Sequence, residues 1–339
     1  MSQYVLLRIT TLDGIDINHF DWDRHNALYF FMLNADEHIY MHYGGRDSRS
    51  AMSYLNMESL ELALSQGLEQ HELYKAGKIE PKLKTGTPIY PRDIPSLKKS
   101  VIDKNRCVEC HLVQDYAVTE KEANGTLDKL QDMYVHPDIR DLGIELDVPK
   151  GLRLAETSGA AKAAGILPGD VITSLNGNGT LTFADFQNRL NKVHRLSREI
   201  DLTVSRDGET HEMKVALPDQ WWITDLSFRY WTIDPLVFFK AVPLNDAEKE
   251  ELELPSEGFA SRVTEVDINA LLEDAHELEE GDIIVSVENV QKDELTQDVI
   301  IHIKLKHRAG NSITLGVLRE GTLQEMTLKT KRQRFRKRD

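Results

Sequence analysis

Residues 141–218 carry the strongest constraint on how this chain can fold. The run GILPGDVI (165–172) combines a glycine that ends a helix, a Pro-Gly turn and a short apolar strand that leads into a turn at Asn176-Gly177. A helical pattern and two further strand-like segments follow, and those segments flank the turn in SRDGET (205–210). The stretch therefore predicts one compact unit that mixes helices and strands.

This unit, which we assign to residues 140–220, resembles a PDZ domain of the bacterial HtrA-protease type. The resemblance implies that a peptide adds a strand to an exposed sheet edge, while its terminal carboxylate binds backbone N–H groups of a tight glycine loop. Leu142, Gly143 and Ile144 match that loop, where a Cβ would obstruct the turned amides. We expect Gly143→Val to abolish peptide binding without unfolding the domain. The alternative is that Gly143 only starts a strand, in a domain whose groove the chain itself fills.

A weaker copy of the same pattern follows at 225–330, so the chain contains an internal repeat. The copy contains a strand, a helix with its following strand, and a final hairpin, in GFASRVTEV (258–266), NALLEDAHELEEGDIIVSVENV (269–290) and ITLGVLREGTLQEMTLK (313–329). No glycine loop is evident in LSFRYWTID (226–234). The sequence therefore predicts a degenerate second PDZ-like module that supports the first.

The first 75 residues contain three strand-like segments and a helical one. Apolar runs lie at 4–9 and 27–33, an alternating strand lies at 38–44, and a helical pattern extends from Ser48 to about Lys75. The sequence NADEH between the last two strands favours a hairpin turn. Two histidines of the second hairpin strand, His38 and His42, share one face and are expected to be solvated.

The segment ALYFFMLNADEHIYMHYGGRD (27–47) resembles the second half of a thioredoxin-like domain. No cysteine occupies the place of the redox helix, and no proline precedes the strand at Ala27. Residues 1–75 are therefore interpreted as a partial thioredoxin-like domain that lacks its first half. We expect the natural chain to extend beyond Met1, with a signal or anchor and an active site of cysteine or selenocysteine, as in some members of the bacterial family that combines such a domain with PDZ modules.

Both cysteines lie in the motif Cys107-Val-Glu-Cys110-His111, within a segment (76–139) that we interpret as a linker or a loop wrapped over the first domain. The spacing is that of c-type haem attachment, with two thioether bonds and His111 as the axial ligand. A redox dithiol would need the cysteines but not the histidine, and a zinc site would need a fourth ligand. The sequence is compatible with haem attachment, with a redox dithiol and with a zinc site, and haem c is the candidate cofactor.

Candidates for a second axial haem ligand are Met133 and His136. Against haem, the flanks of the motif are rich in Lys, Glu and Asp and offer little apolar surface to cover a porphyrin. A methionine or histidine some distance along the chain is more often an ordinary surface or core residue.

Charge and hydropathy exclude several functional classes. The net charge of −15 argues against nucleic-acid binding, which needs an excess of Lys and Arg. No apolar run approaches the roughly 18 residues that span a bilayer, and the start MSQYVLLRIT lacks the features of a signal peptide. The tail at 331–339 is strongly basic and is interpreted as solvated. No phosphate loop, nucleophile elbow or HExxH motif occurs, and no trypsin-like domain precedes the PDZ-like unit, so the sequence does not predict a protease.

These features together predict an α+β multidomain protein. We expect a thiol-redox or electron-transfer protein of the periplasm or cell envelope, whose PDZ modules bind protein partners or peptide C-termini. The alternative is a non-catalytic PDZ scaffold that recognises exposed C-terminal peptides, with the CVECH motif (107–111) only structural.

Overall fold

The chain forms two compact units, Met1–Arg229 and Tyr230–Asp339, in the computed structural model. The structure describes residues 3–79, 86–226 and 233–332. Most of the predicted basic tail and most of LSFRYWTID therefore lie outside the described residues. Both units mix helices with antiparallel sheets, in agreement with the mixed α/β class that the sequence predicts. Among the described residues, no helix is long and apolar enough to cross a membrane.

The first unit contains six helices and eight strands within its described part. They are β1 (Tyr29–Leu33), β2 (Ile39–Gly44), α1 (Met57–Lys75), α2 (Pro95–Ser100), α3 (Cys110–Asn124), α4 (Lys129–Asp132), β3 (Ile144–Leu146), β4 (Leu154–Thr157), α5 (Gly159–Ala163), β5 (Val171–Leu175), β6 (Asn178–Gly179), α6 (Phe183–Asn191), β7 (Glu199–Arg206) and β8 (Glu209–Ala216). Short 3-10 helices cover Pro91–Asp93, Ile102–Lys104, Ile139–Leu142 and Val148–Lys150.

The predicted N-terminal hairpin is confirmed. Strands β1 and β2 pair antiparallel, with Phe31 opposite His42. The turn between them is closed by Asn34, whose side-chain oxygen accepts hydrogen bonds from the N–H groups of Asp36 (3.0 Å) and His38 (2.9 Å). The side chain of this asparagine accepts hydrogen bonds from backbone N–H groups two and four residues later, where the turn has no ladder hydrogen bonds. This local preference of asparagine explains why the sequence NADEH predicts a turn.

Two boundaries in the N-terminal region differ from the prediction. The predicted strand at 4–9 is wrong: this run has no strand partner among the described residues, and Val5 and Leu7 are 88% and 86% exposed. Helix α1 begins at Met57 rather than near Ser48, because the side chain of Asn56 accepts hydrogen bonds from the free N–H groups of the first turn.

The segment after α1 packs back onto the N-terminal region, as a wrapping loop would. Leu97 of α2 and the neighbouring Val101 are fully buried. They share one apolar cluster with Leu12 and Trp22 from the start of the chain and with Val113 of α3. The described part of this segment is therefore held in place by burial of apolar side chains rather than extended as a free linker.

The rest of the first unit is built from two small sheets and α6. Strands β6, β5, β7 and β8 form a four-stranded antiparallel sheet in that order, and β3 pairs with β4 in a separate two-stranded sheet. The apolar side chains of α6 are buried, with Phe186 and Leu190 fully enclosed. This helix is the main element that packs on the sheets and carries the candidate site.

The second unit contains a larger sheet. Its described elements are β9 (Pro235–Leu236), β10 (Phe239–Pro243), α7 (Asp246–Glu251), β11 (Ser261–Val266), α8 (Asn269–Leu272), β12 (Ile283–Val287), α9 (Val299–Lys306), β13 (Ser312–Arg319), β14 (Thr322–Lys329) and β15 (Lys331–Arg332). Strands β10 to β14 form one five-stranded antiparallel sheet in chain order, and β15 pairs with β9. The core of the sheet includes Ile284, Leu315 and Val317, none of which is exposed.

The two units repeat one local arrangement in detail. In the first, the carboxylate of Asp170 accepts two hydrogen bonds from Arg206 at the end of β7, of 2.7 and 2.8 Å. In the second, Asp282 accepts two from Arg319 at the end of β13, both of 2.7 Å. Each arginine also bonds a backbone carbonyl close before the aspartate, at 2.9 Å in both units. Apart from β6 in the first unit and α7 in the second, the same order of strand, strand, short helix, strand, helix and hairpin surrounds each pair, as expected for an internal repeat.

Candidate functional site

The loop at Leu142, Gly143 and Ile144 is a sharp junction between a 3-10 helix and β3. The helix ends at Leu142, and Gly143 adopts φ +80°, a conformation that favours glycine. The N–H of Gly143 donates to the carbonyl of Arg140 (2.8 Å), while its own carbonyl accepts from Ser158 N–H (2.8 Å) and extends the pairing of β3 with β4. The predicted loop residues are thus adjacent to the strand edge that a peptide would use, but the Gly143 amide is engaged within its own turn.

A side chain at position 143 has no space. An added Cβ would lie 2.0 Å from the backbone oxygen of Ser158. The expectation that Gly143→Val leaves the domain folded must therefore be revised, because the backbone of Ser158, directly after β4, blocks any side chain there. Glycine at this position is required by packing before any role in binding is considered.

We take strand β3 and helix α6 as the walls of the candidate groove, because residues 46–54 contact both of them. β3 pairs with β4 on one side, and among the described strands none pairs with its other edge. Two residues of α6, Phe183 and Gln187, line a cavity of about 300 Å³ together with residues 136–141, which lead into the Gly143 loop, and with residues 46–48 and 54. An unpaired strand edge beside a helix can accept an extended peptide, with alternate side chains pointing towards the helix.

Residues 45–54, which we call the covering segment, lie against α6 and contribute to one side of this cavity. The ring of Tyr54 stacks on Phe183 with centroids 3.4 Å apart and planes within 12°. The side-chain amide of Gln187 donates to the carbonyl of Arg46 (3.0 Å). At Gly45 an added Cβ would lie 2.3 Å from the Phe183 ring, so the backbone of the segment passes directly over the helix.

Charged groups connect the covering segment to the other wall. Arg49 donates to the carboxylate of Glu145 in β3 (3.2 Å). Arg140, just before the Gly143 loop, donates to Ser48 Oγ (3.2 Å), and its guanidinium lies 3.6 Å from the carboxylate of Asp47. The segment therefore contacts both the helix wall and the strand wall.

The ionisation of these groups is set by their surroundings. Burial alone would raise the pKa of Asp47, but hydrogen bonds from Ser53 and Arg49 and the charge of Arg140 outweigh it and hold that pKa low. Burial raises the pKa of Tyr54, so its phenol stays neutral. The segment thus presents an ionised carboxylate and a neutral aromatic ring to the groove.

The N-terminal end of α6 is fixed to β2 next to the covering segment. His42 donates its backbone N–H to Asp185 (3.0 Å), and its ring Nδ1 lies 2.8 Å from the same carboxylate oxygen. The hydroxyl of Thr182, the cap of α6, donates to the carbonyl of His42. The expectation of a solvated His42 is wrong, because a partner 143 residues away in sequence buries one face of the imidazole.

The second unit has a loop of the same shape where the glycine is replaced. Phe238, directly before β10, adopts φ +57°, and its carbonyl accepts from Asp267 N–H (2.9 Å), as the Gly143 carbonyl accepts from Ser158. The sequence does not predict this loop, because a glycine is taken as the mark of such a loop and this one contains Phe238 instead. A bulky residue at positive φ is unusual, and only the structure reveals it.

The CVECH motif lies elsewhere in the first unit. Cys107 is exposed, and Cys110 is half-buried as the first residue of α3; both thiols are free. Burial raises the pKa of Cys110, although the nearby charge of Arg24 opposes this effect. The imidazole of His111 is about half exposed and lies 3.6 Å from the Glu109 carboxylate. In the described ranges, no group of three or more His, Cys, Asp or Glu side chains is arranged to hold a metal ion.

The two predicted axial ligands take part in packing near α6. Met133 is fully buried, and the backbone N–H of His136 donates to the side chain of Asn191 at the end of α6 (2.7 Å). Arg195, just after the helix, donates to the carbonyl of Tyr134 (3.1 Å). These contacts account for Met133 and His136 as structural residues, and haem attachment stays a prediction.

We expect the exposed Cys107 to react with a thiol reagent at neutral pH about tenfold faster than Cys110, because the thiolate is the reactive form and burial disfavours it at Cys110. Timed alkylation followed by peptide mass spectrometry measures both rates, with Cys107→Ser as the control for assignment. Equal rates would contradict the difference in burial. A Soret band that survives denaturation, in protein from a host competent for c-type haem attachment, would instead establish haem.

Comparison with known proteins identifies the class of the central domain. Residues 141–217 match the family of PDZ domains, so this part of the chain is a PDZ domain. The chain is 38% identical over 58 residues to the probable periplasmic serine protease do/HhoA-like of Haemophilus influenzae (strain ATCC 51907 / DSM 11121 / KW20 / Rd). That match covers 17% of this chain and 12% of the relative, so it concerns one domain.

Solved structures of HtrA-type proteases are also similar. A variant of the HtrA-type protease AlgW with a decapeptide is 15% identical, with a TM-score of 0.29, and the match covers 55% of this chain and 56% of that one. AlgW with a tripeptide is 14% identical, with a TM-score of 0.28 and coverages of 49% and 60%. The chain thus spans 60% or less of the length of these relatives.

Proposed function

We propose that this protein recognises other proteins through the groove between β3 and α6 and has a scaffolding rather than a hydrolytic role. The observation that carries the proposal is a PDZ domain at 141–217 in which one edge of β3 is unpaired among the described strands. An edge strand offers a row of backbone donors and acceptors, and the adjacent helix selects side chains. The ligand is an extended peptide segment, and the Leu142-Gly143-Ile144 loop would receive its terminal carboxylate.

The expected result is that decapeptides with a free C-terminal carboxylate bind the full chain at least tenfold more tightly than the same peptides as amides. The reason is that backbone N–H groups at the end of β3 would bind the charged terminus. Fluorescence polarisation measures affinity, and hydrogen exchange of Ile144 to Leu146 locates the bound strand. Equal affinity of the free-acid and amidated peptides would contradict the carboxylate role but not the addition of a peptide strand. If saturating peptide does not slow amide exchange in β3, the proposal is refuted.

We place the protein in the periplasm or cell envelope as part of the same proposal. Support comes from the similarity of 58 residues of the chain to a protein described as a probable periplasmic serine protease. The second unit is proposed as a degenerate PDZ-like module, supported by its repeated Asp282–Arg319 arrangement and by the loop at Phe238. The thioredoxin-like relationship of the N-terminal region also remains a proposal, supported by the β1–β2 hairpin and the helix after it.

A thiol-redox role is a second candidate function. The observation in its favour is that Cys107 and Cys110 are both free and that the buried guanidinium of Arg24 acts on Cys110. The raised pKa of Cys110 reduces its thiolate fraction at neutral pH, which weakens this candidate relative to peptide recognition.

A further inference from the structure

We infer that the covering segment is an internal ligand of the PDZ groove and that partners bind only after it leaves. This inference rests on the proposed function, since it concerns the regulation of the same groove. The segment contacts both walls, through Tyr54 and Arg46 on α6 and through Arg49 on β3. A peptide that paired with β3 would direct alternate side chains into space that the chain itself already fills.

The steric conflict is greatest at Phe183. One face of this ring is occupied by Tyr54 at stacking distance, and the backbone of Gly45 passes so close that even a methyl group would collide with the ring. Phe183 is 7% exposed and Tyr54 is 5% exposed, so little of either ring is open to a further side chain. A peptide side chain directed at Phe183 would therefore have to displace Tyr54.

The covering segment is an irregular loop between two regular elements. It lies between the end of β2 and the start of α1 and contains no helix or strand. Asp47 accepts hydrogen bonds from Arg49 N–H (2.9 Å), Ser50 N–H (3.3 Å) and Ser53 Oγ (2.5 Å), so the turn is closed by its own residues. Gly45 at φ +120° gives the backbone freedom at one end.

The anchor next to the segment is separate from it. His42 in β2 holds Asp185 and Thr182 through its backbone and ring, outside the covering segment. The links of the segment include the Tyr54 ring stack, the Gln187 amide hydrogen bond, the contacts of Arg49 and Arg140 with Glu145 and Ser48, and the approach of Arg140 to the buried carboxylate of Asp47. The Arg49–Glu145 pair lies at the surface and contributes little, whereas the stack of Tyr54 on Phe183 buries both rings.

The internal ligand also indicates the chemistry of the partner. It places an aromatic ring on Phe183 and an ionised carboxylate 3.6 Å from the Arg140 guanidinium, which also binds Asp138 at 2.5 Å, close to the Gly143 loop. A competing peptide needs the same two groups at similar separation. The partner class is therefore a peptide with an aromatic side chain near a free C-terminal carboxylate.

The test uses the full chain and one probe, a fluorescein-labelled decapeptide with an aromatic C-terminal residue and a free carboxylate. We expect Tyr54→Ala to bind this probe at least tenfold more tightly than the wild type, because the Phe183 pocket is open. Gly45→Ala is a second way to open the groove, since its methyl group would push the segment off Phe183. Tyr116→Ala is the matched control: it removes a half-buried tyrosine of α3 outside the groove and should bind like the wild type.

A synthetic peptide of residues 42–56 provides an independent measurement. It should displace the probe from the Tyr54→Ala chain, and the same peptide with alanine in place of Tyr54 should not. If circular dichroism shows that Tyr54→Ala is unfolded, probe binding by Gly45→Ala and displacement of the probe from Gly45→Ala by the synthetic peptide test the inference instead. Equal probe affinity of wild type and folded open variants would overturn the internal-ligand inference while peptide recognition stands. Hydrogen exchange shows whether the covering segment has left α6 in a folded variant. If it has left and the variant still does not bind the probe, the proposed function itself is refuted.

Discussion

Replacing Gly143 with alanine should destabilise the PDZ domain by about 4 kcal/mol, whereas Gly165→Ala should cost only about 1–2 kcal/mol. The two glycines have almost the same φ, +80° and +84°, so the conformational cost of a side chain is matched. They differ in space: a Cβ at Gly143 meets the Ser158 oxygen at 2.0 Å, and a Cβ at Gly165 meets nothing within 4 Å. The difference between the variants isolates the steric conflict.

Urea unfolding, with hydrogen exchange to assign the transition to residues 141–217, measures both free energies. Equal losses at the two positions would show that the β3–β4 junction relaxes more easily than its geometry indicates. The expected loss also means that substitutions at Gly143 do not test carboxylate binding by themselves, because they destabilise the domain that would bind the peptide. The comparison of free and amidated peptides tests that role without altering the protein.

The repeated aspartate–arginine pairs should stabilise their own units independently. Asp170→Ala should lower the free energy of unfolding of the first unit by about 2 kcal/mol, because the Leu167 N–H and the Arg206 guanidinium lose a buried acceptor. Asp282→Ala should have a similar effect confined to the second unit, where the carboxylate accepts from Glu279 N–H and Arg319. Hydrogen exchange of β5 and β12 distinguishes the units, and loss of protection in both from one substitution would contradict the prediction.

The same pairs set the response to acid. The hydrogen bond from Arg206 lowers the pKa of Asp170. Burial alone would raise the pKa of Asp282, but the hydrogen bonds from Arg319 and from the Glu279 N–H outweigh burial, so the pKa of Asp282 is also lowered. A carboxyl with a lowered folded pKa stabilises the fold above its unfolded value, about 3.9, and loses this effect as the pH falls through the folded value. Both wild-type units should therefore lose stability below about pH 4, and the acid response of each alanine variant should be smaller in its own unit.

Sequence reasoning succeeded where the determinants of structure are local. The Asn34 turn and the Gly165–Ile172 run act through neighbours within a few residues, so their effects can be read in order along the chain. The start of α1 could have been found by the same logic, because Asn56 is a strong N-cap residue followed by an acidic first turn. The prediction of a strand at 4–9 failed because an apolar run forms a strand only where a partner strand is available, and its composition does not show this.

The occupied groove could be considered from the sequence but not located. A PDZ domain filled by its own chain was one alternative, yet nothing in the sequence pairs Tyr54 with Phe183 or His42 with Asp185. These contacts join residues more than a hundred positions apart and follow from tertiary packing. The loop at Phe238 was missed for a different reason, because it adopts a glycine-like conformation without a glycine.

Because the covering segment and the groove belong to one chain, their competition with outside peptides does not weaken on dilution. A tethered ligand acts at a fixed effective concentration, in the millimolar range for short connections. If the closed form is favoured about 100-fold, a peptide with an intrinsic Kd of about 1 µM will show about 100 µM against the wild-type chain. A partner present at low abundance would then need a second contact on this protein, or local enrichment, to gain access to α6.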